Sequence, residues 1–363
     1  MMPSLKWYFY LFILLERGYT MEISRFKKSH ASLFTLSNKN GMKVVLTDIG
    51  ADIVKIIVPD KDGNFVDVAL GYDEPEHYAN NGTTFGAIVG RFANRIGGSK
   101  FTLNGVTYEL DVNDNDNCLH GGFDKWYIRM WFPQPDEAYN CVKFSLFSPD
   151  GDQGMPGNAV ISVTYKLTDD NALSIHYDAV SDKDTYFNLT NHNYFNLSGQ
   201  GTETMTDHTM WIDSDKATAI DSQLIPTGEI VDIKGTALDF TTEKVIANDI
   251  DADEEAIRLG GGFDHNFILN NQDITKPFAK ASSPRTGIVM EAYTDLPAVQ
   301  FYSGNFMGSD PNGKGGKAYA RRSGFCLETQ YYPDTPNHDN FPSDLFKAGQ
   351  ALASTTIYKF SVK

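Results

Sequence analysis

The chain has 363 residues, with 31 Lys and Arg against 47 Asp and Glu, giving a net charge of −16 at pH 7. An acidic surface repels nucleic acid and anionic lipid, so neither is expected as a partner, whereas a neutral small molecule is compatible with it. Three cysteines, Cys118, Cys141 and Cys326, with no Cys-x-x-Cys pair, argue against a disulfide framework and a structural zinc site.

In chain order, the first segment to place is "MMPSLKWYFYLFILLERGYTMEIS". Lys6 followed by the apolar run Trp7 to Leu15 imitates a secretory signal, yet no small-x-small cleavage site follows and the run is rich in aromatics. Residues 1–24 are therefore set apart as an N-terminal extension. Three readings stay open for residues 1–20: a misassigned start, with Met21 as the alternative, a signal-like or lipid-surface segment, or a docked strand. The first is preferred, which makes the cytoplasm the expected location; export to the periplasm or outside the cell is the alternative if the segment acts as a signal. No later stretch approaches the roughly 18 or more apolar residues of a membrane span.

From Ser32 onward the hydrophobic period is two. Short β-branched runs are separated by the turn signals "NKNG" and "DKDG", and "FTLNGVTYEL" is a hairpin with Asn104-Gly105 at its tip. "NAVISVTYKLTDDNALSIHYDAVSD" gives two more alternating strands, and "GIVMEAYTDLPAVQFYSGNF" and "STTIYKFSVK" are again strand-like. Helical periodicity is confined to short pieces such as "DADEEAIRLGG" near residues 251–261. Turn signals recur throughout, with no linker and no blade-like repeat. The expectation is an all-β fold, a large antiparallel β-sandwich with few short helices, formed as one domain by residues 25–363, with one sheet able to line a concave binding face.

Four of the eight histidines sit among Gly, Asn, Asp and aromatics: His120 in "NDNCLHGGF", His192 in "NLTNHNYFN", His265 in "GGFDHNF" and His338 in "PDTPNHDNF". His176 alternates with apolar residues as a structural strand residue does. Neither HExxH nor paired His/Cys ligands occur, so no metal is expected. "GSDPNGKGGK" lacks the phosphate-loop spacing and is placed in a surface loop, and no Gly-x-Ser-x-Gly elbow is present. General acid/base chemistry by imidazole and carboxylate remains. Glu328 in "GFCLETQYYPD" and Asp264 in "GGFDHNF" are the candidate carboxylates; burial at the end of an apolar strand raises a carboxyl pKa and makes it a better base.

The blocks "GAIVGRFANRIGGSKFTLNGVTYEL" (86–110), "CLHGG" (118–122), "SPDGDQGMPGN" (148–158) and "NLTNHNYFNLSG" (188–199) follow one another in order. So do "GGFDHNFIL" (261–269), "AVQFYSGNF" (298–306) and "LETQYYPDTPNHDNFPS" (327–343). Together they resemble the aldose 1-epimerase, or galactose mutarotase, family over most of the chain after residue 32. The resemblance implies a mutarotase-like supersandwich and cofactor-free interconversion of the α and β anomers of free hexoses such as galactose and glucose, by a monomer or homodimer. It implies His192 as the general acid on the ring oxygen and Glu328 as the general base on the C1 hydroxyl. Asn94, Arg95, His120, Asp264 and Gln300 would hold the sugar hydroxyls. Arg91 is assigned to bracing a turn, His338 to a packed loop, and Tyr194 and Phe195 to packing beneath His192. Trp126 and Trp131 are left between sugar stacking and the core. The sequence departs from the family at "FDKWYIRMW" (123–131), which lacks an internal glycine, and in the N-terminal extension. Three alternatives stand beside this reading: an epimerase for phosphorylated or other aldoses, which would need an Arg/Lys cluster, a non-catalytic carbohydrate-binding protein on the same sandwich, and a glycoside hydrolase, which would pair two carboxylates.

Overall fold

A computed structural model of the chain describes residues 20–25, 30–308 and 310–363. The expectations for residues 1–19 lie outside them. The architecture is all-β. The largest sheet has nine strands in the order 132–136, 141–148, 159–167, 172–181, 351–362, 288–294, 279–282, 209–212 and 244–245. Its neighbours pair antiparallel throughout. The strand Ala351–Val362 sits in the middle, so the last residues of the chain join strands far apart in sequence.

Two five-stranded sheets accompany it. One is a meander of Thr20–Arg25, Ser32–Ser37, Lys43–Thr47, Ile53–Pro59 and Phe65–Asp67. Its turns are the "NKNG" and "DKDG" signals, and its first strand spans the 24/25 position taken as the start of the domain. The other has the order Pro226–Asp232, Lys216–Ile220, Asp264–Ile268, Ala298–Tyr302 and Cys326–Gln330. The period-two pattern is what closes the core. Val163, Ile175, Leu352 and Tyr358 of the nine-stranded sheet meet Val44, Leu46 and Ile56 of the meander and Val299, Phe301 and Leu327 of the third sheet in one apolar cluster.

The hairpin at 100–109 turns at Asn104 and Gly105, with φ 52° and 79°, as a two-residue turn matching strand twist requires. The α-helices described are short, Pro75–Tyr78 and Glu255–Gly260. Among the described residues no helix is long and apolar enough to cross a membrane. Trp126 and Trp131 go to the core, edge to face with centroids 6.1 Å apart, and are fully or almost fully buried. Lys314 of "GSDPNGKGGK" is not in a surface position: its ammonium is buried and donates to the Val54 and Ala69 carbonyls and to Asp67.

Candidate active site

Three strands of the third sheet build a polar floor. Asp264 stands opposite Tyr302, and Tyr302 opposite Cys326; in the next row Asn266, Gln300 and Glu328 are in register, and in the third Ile268, Ala298 and Gln330. Alternation sends the intervening residues, Phe267, Phe301 and Leu327 among them, into the apolar core. The polar row is self-consistent: Gln300 Nε2 donates to Asp264 Oδ1 at 2.6 Å, and Gln330 Nε2 donates to Asn266 Oδ1 at 3.0 Å.

His192 closes one side. The stretch 185–199 is not one continuous strand: Thr185–Tyr186 and Thr190–His192 are its extended pieces, and the second pairs with Ala87–Val89. The amides around His192 clamp backbone rather than the ring. Asn188 donates to the Ala93 and Tyr331 carbonyls and accepts from the Tyr331 N–H, Asn191 donates to Gly86, and Asn196 donates to Ser323. Both side-chain polar atoms of Asn193 are buried with no hydrogen bond among the described residues. The imidazole itself is bounded by the Tyr194 ring at 5.0 Å, the His120 ring at 5.3 Å and the Cys326 Sγ at 3.5 Å from Nδ1. Its Nε2 lies 3.4 Å from Glu328 Oε2 without forming a hydrogen bond, so that oxygen is buried with no hydrogen-bond partner among the described residues.

Asn94 and His120 face the opposite side. Both are left-handed, φ 65° and 55°, and each holds the other. The His120 N–H donates to the Asn94 carbonyl, and the Asn94 N–H donates to His120 Nδ1 at 3.1 Å. Because Nδ1 accepts, the neutral ring carries its proton on Nε2 and presents a donor. Arg95 gives Nε to Asp114 at 2.8 Å, and its two terminal nitrogens have no bond within the described residues. Four residues earlier, Arg91 is fully buried and donates to the carbonyls of Pro156, Gly157 and Ser148 and to the Ser148 hydroxyl. His338 bonds the Pro226 carbonyl and packs on Phe341, and His265 bonds the Ala256 carbonyl, so neither belongs to the pocket.

The structure thus brings all seven expected residues, Asn94, Arg95, His120, His192, Asp264, Gln300 and Glu328, to one cavity of about 280 Å³, at the small end of ligand pockets. It adds Lys125, Tyr127, Tyr194, Tyr302 and the loops 82–84 and 306–308. Tyr194 therefore both packs on His192 and lines the cavity, whereas Phe195 is wholly core. Lys125 comes from the altered 123–131 loop, 5.3 Å above the Tyr127 ring. Nothing in "FDKWY" says which of its side chains turns inward, since a one-residue change in the 3-10 turn at Trp126–Ile128 would exchange them.

Burial drives the site's ionisation. It pushes the Glu328 carboxyl well above its ordinary value, helped by the Asp264 carboxylate and opposed by Arg95. It lowers His192 to about 4 and His120 well below an ordinary imidazole. Both shifts favour the uncharged couple, carboxylic acid and neutral imidazole. His120, His192 and Glu328 bring one donor atom each within 4.8 Å of one another, a spacing that could suit a cation. The His120 tautomer fits poorly: with Nδ1 taken by a backbone N–H and Nε2 protonated, the ring has no lone pair to give. What the pocket offers is an acid/base pair at one end and fixed hydrogen-bond donors and acceptors around it.

Comparisons with known proteins agree with that chemistry. Residues 32–359 match the family model "Aldose 1-epimerase". Galactose mutarotase of Bos taurus is 41% identical over 321 residues, covering 88% of this chain and 92% of that protein. Aldose 1-epimerase of Escherichia coli (strain K12) is 39% identical over 333 residues, covering 90% and 94%. Among solved structures, galactose 1-epimerase from Lactobacillus acidophilus NCFM superposes with a TM-score of 0.83 at 28% identity, covering 95% of this chain and 99% of that one. An aldose epimerase homologue from C. elegans gives 0.84 at 28% identity, covering 92% and 99%.

Proposed function

The chain belongs to the aldose 1-epimerase family, and we propose that it interconverts the α and β anomers of free hexoses, with His192 as general acid and Glu328 as general base. The observation that carries the roles is the 3.4 Å between His192 Nε2 and Glu328 Oε2. The two oxygens they must serve, O1 and O5 of a hemiacetal, share one carbon, so acid and base must stand within a few ångströms of each other.

Opening begins with the O1 proton passing to the Glu328 carboxylate. The C1–O5 bond breaks, C1=O1 forms, and O5 takes the proton on His192 Nε2. Rotation about C1–C2 turns the other aldehyde face to O5. Closure then returns the O5 proton to Nε2 and the carboxyl proton to O1. Each group finishes as it started, and no electron leaves the sugar. Positioned acid and base contribute on the order of 100- to 10,000-fold each. In the bound sugar the hydroxyls replace lost solvation, which lets the pair's proton sit on His192 rather than Glu328 when the ring is closed. Asn94, Arg95, His120, Asp264 and Gln300 hold the other hydroxyls, so the open chain turns at C1 instead of leaving.

A free aldose is the partner this reading requires. The pocket's cations are Arg95, already bound to Asp114, and Lys125, which is not the cluster a phosphate calls for. Three free cysteines suit a reducing compartment, and we place the enzyme in the cytoplasm. Polarimetry tests the function: freshly dissolved α-galactose and α-glucose should lose anomeric excess faster with the protein, and their 6-phosphates should gain little. Binding of free hexose without any acceleration would instead identify a sugar-binding protein.

A further inference from the structure

One strand addresses both nitrogens of His192. Glu328 and Cys326 are two residues apart on Cys326–Gln330, so alternation puts both on the same face. Glu328 Oε2 lies 3.4 Å from Nε2, and Cys326 Sγ lies 3.5 Å from Nδ1. The thiol is completely buried, and Tyr194 covers the ring at 5.0 Å. We propose that Cys326 is a positioning residue for the acid: its thiol sulfur accepts from Nδ1–H, so that Nδ1 keeps its proton and Nε2, whose proton cycles, stays aimed at the ring oxygen. This rests on the reading of His192 as the acid.

The identity of the partner matters because the other buried histidines have partners of fixed demand. At His120 a backbone N–H donates to Nδ1, which forbids a proton there. At His208 the Asp207 carboxylate sits 2.9 Å from Nδ1 and fixes a proton there, while the Leu197 N–H donates to Nε2 and forbids one on that side. An acid that cycles through the imidazolium needs neither. It needs a group that accepts weakly from Nδ1–H, because Nδ1 keeps its proton both in the imidazolium and in the neutral ring left when Nε2 has given its proton to O5. A thiol sulfur accepts in that way, and its weakness leaves the imidazolium acidic. Burial, with the Glu328 and Asp264 carboxyls, pushes the thiol pKa well up and keeps it S–H. The other titratable groups facing the imidazole are Glu328, His120, Tyr194 and Tyr302, the last at 6.3 Å between rings.

The test compares Cys326→Ala and Cys326→Ser by polarimetry against pH and by ¹⁵N NMR of His192. The alanine variant should lose kcat on the order of tenfold with KM changed less than about twofold, since the ring loses its stop. Serine, whose hydroxyl oxygen also accepts from Nδ1–H, should recover most of that rate. Because a hydroxyl accepts more strongly, its acid limb and its His192 titration should both move upward. Wild-type kcat and pH profile in the alanine variant would overturn the proposal, as would unchanged His192 ¹⁵N shifts in both variants. If alanine does not fold, serine carries the same readouts. The ¹⁵N response is independent of turnover, so a wild-type protein without mutarotation would sink the functional reading and leave this contact separately judged.

Discussion

At the scale of single residues, the consequence of burial is a displaced pH profile. The pair works when it holds one proton, whichever member carries it. As pH falls through about 4, His192 gains a proton while Glu328 keeps its own, and no base remains. As pH rises through the raised Glu328 pKa, the last proton leaves and no acid remains. The two limbs belong to the pair rather than to either residue. We expect kcat/KM to fall in acid near pH 4, well below where an ordinary imidazole titrates, and to hold through neutrality. A profile that collapses above about pH 6.5, where an unperturbed histidine loses its proton, would contradict this. His192 and Glu328 were legible as candidates because an imidazole among amides and a carboxylate after an apolar run are unusual company. Cys326 and Tyr194 were not, because what makes them matter is a distance to a ring more than 130 positions away for one, and a dual exposure for the other.

At the scale of elements, one short turn carries two arginines with different duties. Arg91 anchors the segments around Ser148 and Pro156, whereas Arg95, four residues on, points terminal nitrogens into the pocket. Arg91→Ala should cost about 3 kcal/mol in urea unfolding, because several buried carbonyls lose their donor. Arg95→Ala should chiefly raise KM, with a smaller loss of stability from Asp114 left unpaired. Equal stability losses and equal kinetics would remove the distinction. Strands were readable from alternation and turns, including the Asn104-Gly105 hairpin. Their sheet membership was not: Ile288–Thr294 and Ala298–Tyr302 are neighbours in sequence but lie in different sheets, since pairing partners come from distant parts of the chain. The stretch 185–199 alternates aromatic and polar residues as a strand does, yet it is broken, because Asn188, Asn191 and Asn196 spend their amides on loop carbonyls instead of leaving a ladder intact.

At the scale of the whole molecule, charge and packing have separable effects. The net charge of −16 should not influence capture of a neutral sugar, so kcat/KM for galactose should be flat from low salt to about 0.5 M, where fields beyond a few ångströms are screened. A steep salt dependence would indicate a charged substrate. Lys314 ties the 310–316 segment to the meander through Val54, Asp67 and Ala69. Lys314→Ala removes one partner of a buried pair and should cost about 3–5 kcal/mol in denaturant unfolding without changing KM. A loss within error of zero would refute that role. The sequence pattern placed this lysine in a surface loop, because a Gly- and Lys-rich run carries no sign of the carbonyls it will meet.

The acid/base assignment itself is tested most directly by polarimetry of α-galactose with Glu328→Gln, His192→Asn and the double variant, each checked for folding. Each single change should lower kcat by about 100-fold or more, and the double variant should fall little further, since the two groups act as one unit. Wild-type rates in either folded single variant would contradict the assignment.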